Sequence, residues 1–400
     1  MFARFRRIAL CCIVELTLLA SCVWAQNRAD LFPRTTDDIH LEMPFNYNVS
    51  NPNRETGVVD IVWGSNYATE PPGMYNTAYI PYSVDNFTYP VSWYQQNHPD
   101  WLEYLCDEKT LAFEFGSTSL APLDVANPDV RTFQWKNWVD APLSQGYAGI
   151  AVDTMDLTND WARCGHFDSA GGWVQQYTGN SNDPAFRHDV LAWEAATYQH
   201  VHGYSPTATM SVNVSYQFGE PNDDNLKLMT TTDLLFDERG FTNWGGTPPV
   251  TNPAEWQGIV TALWYVESKG LCYMTNGEEP GPSKKISQAE RLWVIANYLL
   301  VKNDCTYMYI SGFNGQEQDY GRLIVFPEYS IKIGHPITPM KKTQGVWERL
   351  FSEGLALVNP DDKTVIVQLP PGNYVDVNGK PVGKCVAMKR QTGRILLNAE

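Results

Sequence analysis

The sequence is short of positive charge. Its 29 Lys+Arg stand against 45 Asp+Glu, a net charge of −16, which argues against a phosphate backbone or an anionic membrane surface as partner and suits a neutral or cationic substrate. It has no C-x-x-C pair for a zinc ribbon, no G-x-G-x-x-G or P-loop glycine pattern for a nucleotide, and no G-x-S-x-G elbow for a serine hydrolase. His200-Val201-His202 has the spacing of a metal pair but falls at the end of an expected helix rather than at a strand end. It is read as two surface histidines, and no metal or organic cofactor is implied. Beyond the N-terminal region, cysteine is reduced to Cys106, Cys164, Cys272, Cys305 and Cys385. That odd, widely spaced set excludes a dense disulfide framework and leaves room for one or two bridges. The sequons at Asn48, Asn86 and Asn213 matter only where the host glycosylates exported proteins.

Long apolar runs are also missing. The run Ile8 to Ala20, interrupted by Glu15 and preceded by Arg4, Arg6 and Arg7, is too short for a stable bilayer anchor and reads as an export signal. Two exits are open. Val23-Trp24-Ala25 before Gln26 suits a signal peptidase, whereas Leu19-Ala20-Ser21-Cys22 has the form of a lipobox and would leave Cys22 lipidated. A secreted, periplasmic or lipid-anchored protein is expected.

What remains is globular: 43% hydrophobic residues, 14 Trp and 21 Tyr in 400 residues. That length fits a large barrel with a smaller domain. Strand-like runs occur at 58–64, 78–84, 110–115, 149–152, 208–214, 233–236, 271–274 and 305–310. They are apolar and bounded by turn residues, as buried parallel strands are. Helices are expected after Asn127-Pro128, Asp183-Pro184 and Asn252-Pro253, and from Ser287, where Glu290 completes a capping-box spacing. Eight strands alternating with helices favour a closed (β/α)₈ TIM-type barrel over an open sheet. From about residue 345 the texture turns to short strands with an Asn378-Gly379 hairpin signal, whose turn positions call for positive φ. The expected organisation is a signal segment (1–25), a lead-in (26–54), a barrel (55–344) and a small antiparallel β-sandwich (345–400).

Catalytic side chains of such barrels sit where strands run into their following loops. The fourth expected strand ends in Asp153 and the sixth in Asp237-Glu238. Strands four and six lie roughly 10 Å apart at the backbone, so inward-leaning acids could come within the spacing of a glycosidase pair. Asp153 would act as nucleophile or base and Glu238 as general acid. Neighbouring strand residues face opposite ways, so Asp237 stays open beside Glu238, with a basic side chain as its other expected partner. Asp124 is a candidate site residue or, more readily, a helix cap. Asn213 and Tyr216 after strand five, Asn276 and Glu278 after strand seven, and Asn314 after strand eight could meet sugar hydroxyls. Trp63, Trp173 and Trp244 could offer ring platforms or could simply pack. A non-catalytic carbohydrate-binding barrel is the alternative; convergence of both acids in one solvent-reached cleft would discriminate against it.

Three stretches carry a family resemblance: His98 to Glu103 (HPDWLE), Leu123 to Arg131 (LDVANPDVR) and Gly146 to Asp153 (GYAGIAVD). The chain resembles the glycoside-hydrolase-like family fifteen, a barrel distantly related to the α-galactosidase and polygalactosaminidase families, over about residues 55 to 400. The resemblance implies a barrel with Asp153 in the nucleophile-or-base position and an acid after strand six, here Glu238. In those relatives the second position is often Asp, which again keeps Asp237 in view.

Overall fold

The computed structural model describes residues 31–44, 58–65, 74–214, 222–238, 240–242, 253–280, 285–313 and 324–399. Eight parallel strands form the central sheet: β1 (Glu42–Pro44), β2 (Ile61–Ser65), β3 (Tyr75–Ile80), β4 (Gly149–Val152), β5 (Thr209–Asn213), β6 (Leu234–Asp237), β7 (Cys272–Pro280) and β8 (Thr306–Phe313). A parallel bridge from Leu41 to Met308 joins the first strand to the last and closes the barrel.

Two of the expected strand positions are corrected. The first barrel strand is Glu42–Pro44, upstream of the first expected run. The run at 110–115 is no barrel strand: Leu111 makes only a single bridge to Tyr104, and the chain then turns through Glu114–Gly116. Leu111 and Ala112 are buried in a long excursion between β3 and β4, not in the barrel wall. The two errors cancel, so the strands before Asp153 and Glu238 are the fourth and the sixth.

Alternate strand residues fill the lumen. Ile61, Trp63, Ala151, Leu234, Phe236 and Met274 share one buried cluster with Phe32, which enters from the segment before β1. That segment also seals the barrel floor: Thr35 N donates to Asp304 O at 2.8 Å, and the buried Lys302 Nζ donates to Thr35 O. Strands β4 and β5 come close because Gly149 has no side chain; a Cβ there would lie 2.3 Å from Thr209 Oγ1. At the same end the Cys272–Cys305 disulfide ties β7 to β8.

The helices start where their caps allow. Asn127 accepts from Asp129 N before Pro128–Gln134, and Asp183 accepts from Ala185 N and Phe186 N before Pro184–Tyr204. Ser287 and Glu290 form the full capping box of helix α1 (Gln288–Val301), which satisfies two of the orphan N–H groups of the first turn. His200 and His202 do not act together: His200 bonds Asp140 and stacks on Trp135, whereas His202 is largely buried against Asp233. His202 is therefore not the surface residue expected of it.

The C-terminal region holds a six-stranded antiparallel sheet and a two-stranded one. Residues of both, including Leu355, Leu357, Val367 and Met388, share one buried cluster. Arg349 from the larger sheet reaches the end of α1 and donates to the carbonyls of Leu299, Leu300 and Lys302, groups that a helix end otherwise leaves unsatisfied. Backbones touch at Gly393, where a Cβ would lie 2.4 Å from Leu292 O. In the Asn378-Gly379 turn only Gly379 has positive φ. Asn378 needs none, because Asp376 Oδ1 accepts from both Asn378 N and Lys380 N.

The excursion between β3 and β4 is anchored by Arg163, whose side chain is 1% exposed. It donates to Glu103, Glu114, Leu123 O and Ser83 O. Burial pushes Glu103 up to about 7 even beside the guanidinium. Removing one partner of a buried ion pair strands the other charge, at a cost of about 3–5 kcal/mol. Arg163→Met is expected to lose that much in urea unfolding, and adding Glu103→Gln and Glu114→Gln to recover part of it. A loss below about 1 kcal/mol in the single variant would show the anchor to be dispensable.

Candidate active site

At the C-terminal mouth of the barrel β4, β5 and β6 lie side by side, with Val152 level with Val212 and Asn213 level with Phe236. Asp153, one residue past β4, and Glu238, one past β6, therefore flank Asn213 at the end of β5. The amide Nδ2 of Asn213 donates to Asp153 Oδ1 at 2.8 Å and to Glu238 Oε2 at 2.8 Å. Two acceptors at that distance from one planar NH₂ group lie about 5 Å apart. The amide orientation is dictated by charge, since a carbonyl oxygen there would face two carboxylates. Both acids are half-buried and reached by solvent, whereas Asn213 is 6% exposed. A glycan cannot be accommodated at that buried sequon without breaking the bridge.

Asp153 takes two further donors, Thr154 N at 2.8 Å on Oδ1 and the Tyr79 hydroxyl at 2.8 Å on Oδ2. Burial raises its pKa, and these three hydrogen bonds oppose the rise by favouring the ionised form. Thr154 is held at a φ of 54°, a conformation uncommon outside glycine.

The parity between Asp237 and Glu238 follows from the pleat. Phe236 packs in the lumen with Trp63, ring centroids 4.8 Å apart, so Glu238 also faces inward and Asp237 faces out. Asp237 accepts from Tyr273 Oη at 3.1 Å and from Gly240 N at 3.2 Å, so its bonded partners here include a tyrosine and a backbone amide. Gly240 has to be glycine, because a Cβ would lie 2.1 Å from Asn276 O.

The remaining candidates divide. Asn276 is fully buried and exchanges hydrogen bonds with Ser311 of β8 at 3.2 and 3.3 Å. Trp63 is 0% exposed and packs edge-on against Tyr79; it supports the tyrosine and offers no open face. Trp173 packs on Phe167 in the hairpin of 165–175. Asp124 is no helix cap, because Asn127 fills that role. It is 1% exposed and accepts from Ala126 N and Gln176 Nε2, with His166 Nδ1 3.2 Å away. Its carboxylate raises the His166 pKa. Tyr216, Trp244, Asn314 and the Glu278 side chain fall outside the described residues.

Sequence reasoning missed Tyr79 and Glu42. Tyr79 lies in the strand that the run at 78–84 only partly covered. Glu42 is buried on β1, and neither of its oxygens has a hydrogen-bond partner among the described residues. Burial, and then repulsion from Glu238, hold it well above the usual carboxylate range. Among the described residues no cluster of His, Cys, Asp and Glu could hold a metal ion.

A closed parallel barrel with paired acids at its C-terminal mouth defines a TIM-barrel hydrolase of the glycosidase type. Residues 74–355 match the model of hypothetical glycosyl hydrolase family 15, and the chain belongs to that family and is a glycosidase. No curated protein matches it. Among solved structures it is similar to a noncanonic maltogenic α-amylase from Thermotoga neapolitana (TM-score 0.50, 12% identity, 91% of this chain and 97% of that one). It is also similar to an Anoxybacillus α-amylase (TM-score 0.48, 11% identity, 91% and 98%). The glycoside hydrolase domain of PelA from Pseudomonas aeruginosa is a further match (TM-score 0.42, 12% identity, 68% and 95%). At these identities the likeness concerns the fold.

Removing the Tyr79 hydroxyl takes away a donor that favours ionised Asp153, so its pKa should rise further. In a carboxyl-carbon NMR titration, Tyr79→Phe is expected to move the Asp153 midpoint to higher pH and the acid limb of hydrolysis with it. An unmoved midpoint would remove Tyr79 from the electrostatics of the site.

Proposed function

We propose that the chain hydrolyses glycosidic bonds of an oligo- or polysaccharide by a retaining mechanism, with Asp153 as nucleophile and Glu238 as acid/base. The observation that carries this reading is the Asn213 amide shared by both carboxylates. It brings the two acids into one solvent-reached site at about the separation of retaining enzymes, roughly 5–5.5 Å, and short of the 6.5–9.5 Å that an inverting water needs. A barrel that only bound glycan would have no need of that convergence.

In the first step an Asp153 oxygen attacks the anomeric carbon as its bond to the leaving oxygen breaks, and Glu238 gives its proton to that oxygen. The product is a glycosyl ester on Asp153. In the second step Glu238, now a carboxylate, takes a proton from water while the water oxygen attacks the anomeric carbon and Asp153 leaves. The donors on Asp153 suit a group that must be ionised at the start and leave as a carboxylate. Glu238, with Asn213 as a neutral neighbour and a Glu42 that burial pushes towards its neutral form, can hold or release a proton in turn.

The C-terminal sheets, read as a small β-sandwich, brace α1 and take no part in the chemistry. The segment from Arg4 to Cys22 is read as an export signal, which puts the substrate outside the cytoplasm, with Cys22 as a lipid-anchor position in one of its two readings.

Asp153→Asn and Glu238→Gln are each expected to lower kcat by about 10³ or more while leaving thermal unfolding unchanged. Proton NMR of the first product should show the substrate's anomeric configuration. Inversion would overturn the retaining assignment, and full activity in either variant would remove that residue from the mechanism.

A further inference from the structure

Two aromatic side chains of the excursion between β3 and β4, Phe87 and Phe115, stand in solvent, and the half-buried Trp161 lies against the second. Phe87, in the segment after β3, is 67% exposed. Its ring centroid lies 6.1 Å from that of Tyr79, the tyrosine bonded to Asp153. The backbone under it is tightly held: the buried Asp85 accepts from the N–H groups of Phe87, Thr88 and Tyr89 and from the Tyr94 hydroxyl. Thr88 in turn accepts from Trp138 Nε1 at 3.0 Å. These bonds fix the backbone that presents the apolar ring to solvent beside Tyr79.

Phe115 is 64% exposed and stands 4.8 Å from the ring of Trp161. It adopts a φ of 53°, and Ala162 beside Trp161 a φ of 51°. Bulky residues rarely accept that conformation, and such strain persists only where the surroundings enforce it. The enforcement is visible on both sides. Glu114, next to Phe115, and Arg163, just beyond Ala162, form the buried ion pair. Asn159 closes the Trp161 turn by bonding both the N–H and the carbonyl of Arg163. The segment carrying Phe87 and the turn carrying Phe115 meet where Ser83 Oγ donates to Glu114 at 2.7 Å. The segments that carry the second pair also bear exposed polar groups, Ser117 bonded to Ser119 and Thr158 bonded to Asp160. Flat apolar faces edged by hydrogen-bonding groups match a pyranose ring, which has apolar C–H faces and a rim of hydroxyls.

We infer that Phe87 and the Phe115–Trp161 pair are successive sugar-ring platforms, so that the substrate is a neutral chain of at least three units running from Asp153 across this rim. The inference rests on the glycosidase site at Asp153 and names its substrate class. Phe87 carries the ring nearest the cleaved bond and Phe115–Trp161 a more distant one. A small or single-sugar substrate would use neither fully.

The test uses the full chain and two separate readouts. Fluorescently labelled Asp153→Asn protein is applied to an array of defined neutral oligosaccharides of two to eight units. Binding that strengthens with length, and that weakens about tenfold in Phe87→Ala and in Trp161→Ala made in the same background, is expected. With the wild-type catalytic pair, the best-bound series is then hydrolysed. Trp161→Ala should raise KM about tenfold on long chains with kcat within about twofold, and leave the shortest cleaved member nearly unaffected. Absence of binding to any chain of three or more units, or variants that leave the length dependence intact, would overturn the platforms. Persistent hydrolysis by Asp153→Asn would instead strike at the catalytic assignment.

Discussion

A guanidinium buried away from water is tolerable only if its charge and its hydrogen bonds are answered on the spot. At Arg163 the answer comes from four separate parts of the chain: Glu103, Glu114, Leu123 O and Ser83 O. The long excursion between β3 and β4 has no place in the barrel wall, and its own strands are the short pair Val84–Asp85 and Ala121–Pro122. It packs through the main apolar cluster, with Tyr94, Leu102, Leu123 and Val130 among its members, and this cation and the adjoining disulfide, Cys106–Cys164, tie it to the loop after β4. Losing Arg163 is the costly change, because it leaves two buried carboxylates without their cation. Gly179 passes so near both sulfurs that a Cβ would lie 2.9 Å from each. The loop after β4, and with it the surroundings of Asp153, inherits its position from this knot.

The site itself depends on keeping acids apart in protonation while bringing them together in space. Asp153, Glu238 and Glu42 share one end of one lumen, and three ionised carboxylates there would repel strongly. Each is treated differently. Asp153 has donors for the anion, from Tyr79, Thr154 and Asn213. Glu42 is pushed towards its neutral form by burial. Glu238 stays partly open to water and shares the neutral Asn213 amide with Asp153. A lysine or arginine in place of Asn213 would hold both acids ionised. An aliphatic side chain would leave both unsatisfied. An amide binds two carboxylates without setting the charge of either, which is what acids with opposite duties require.

Much of this was legible in the chain, because the signals were local. Gly149–Val152 and Leu234–Asp237 are buried along their whole length, and such strands read as continuous apolar runs that stop at an acid. Asn127, Asp183 and Ser287 announced their helices through short-range capping chemistry. The failures were non-local. β1 has three residues and begins with Glu42, and it is a strand only through its parallel pairing with β2 and the neighbouring Leu41–Met308 bridge. Leu111 and Ala112 look like strand residues because they are buried, but they are buried in the excursion, where Leu111 joins the main apolar cluster, and not in the barrel wall. The inward face of Glu238 follows from Phe236 lying in the lumen, a register that neighbouring strands impose. Tyr79 was hidden for the same reason: a tyrosine in a strand becomes a site residue only through what stands across from it.

The knot at Arg163 and the chemistry at Asp153 are also joined through binding. Binding usually has to order the loops that receive the ligand, and that ordering weakens affinity. Here the rim loops are ordered beforehand, since Glu114 and Arg163 lie beside Phe115 and Trp161 and are held by a pair the fold cannot release cheaply. Burial raises the Asp153 pKa and Glu114 adds to the rise, so the same carboxylate bears on both the rim and the proposed nucleophile. The cost of burying that charge is met in folding, before any substrate arrives. A rim built in this way gives up adaptability, and with it the ability to reshape around unrelated glycans, in return for rings fixed at a set distance from the reacting carbon.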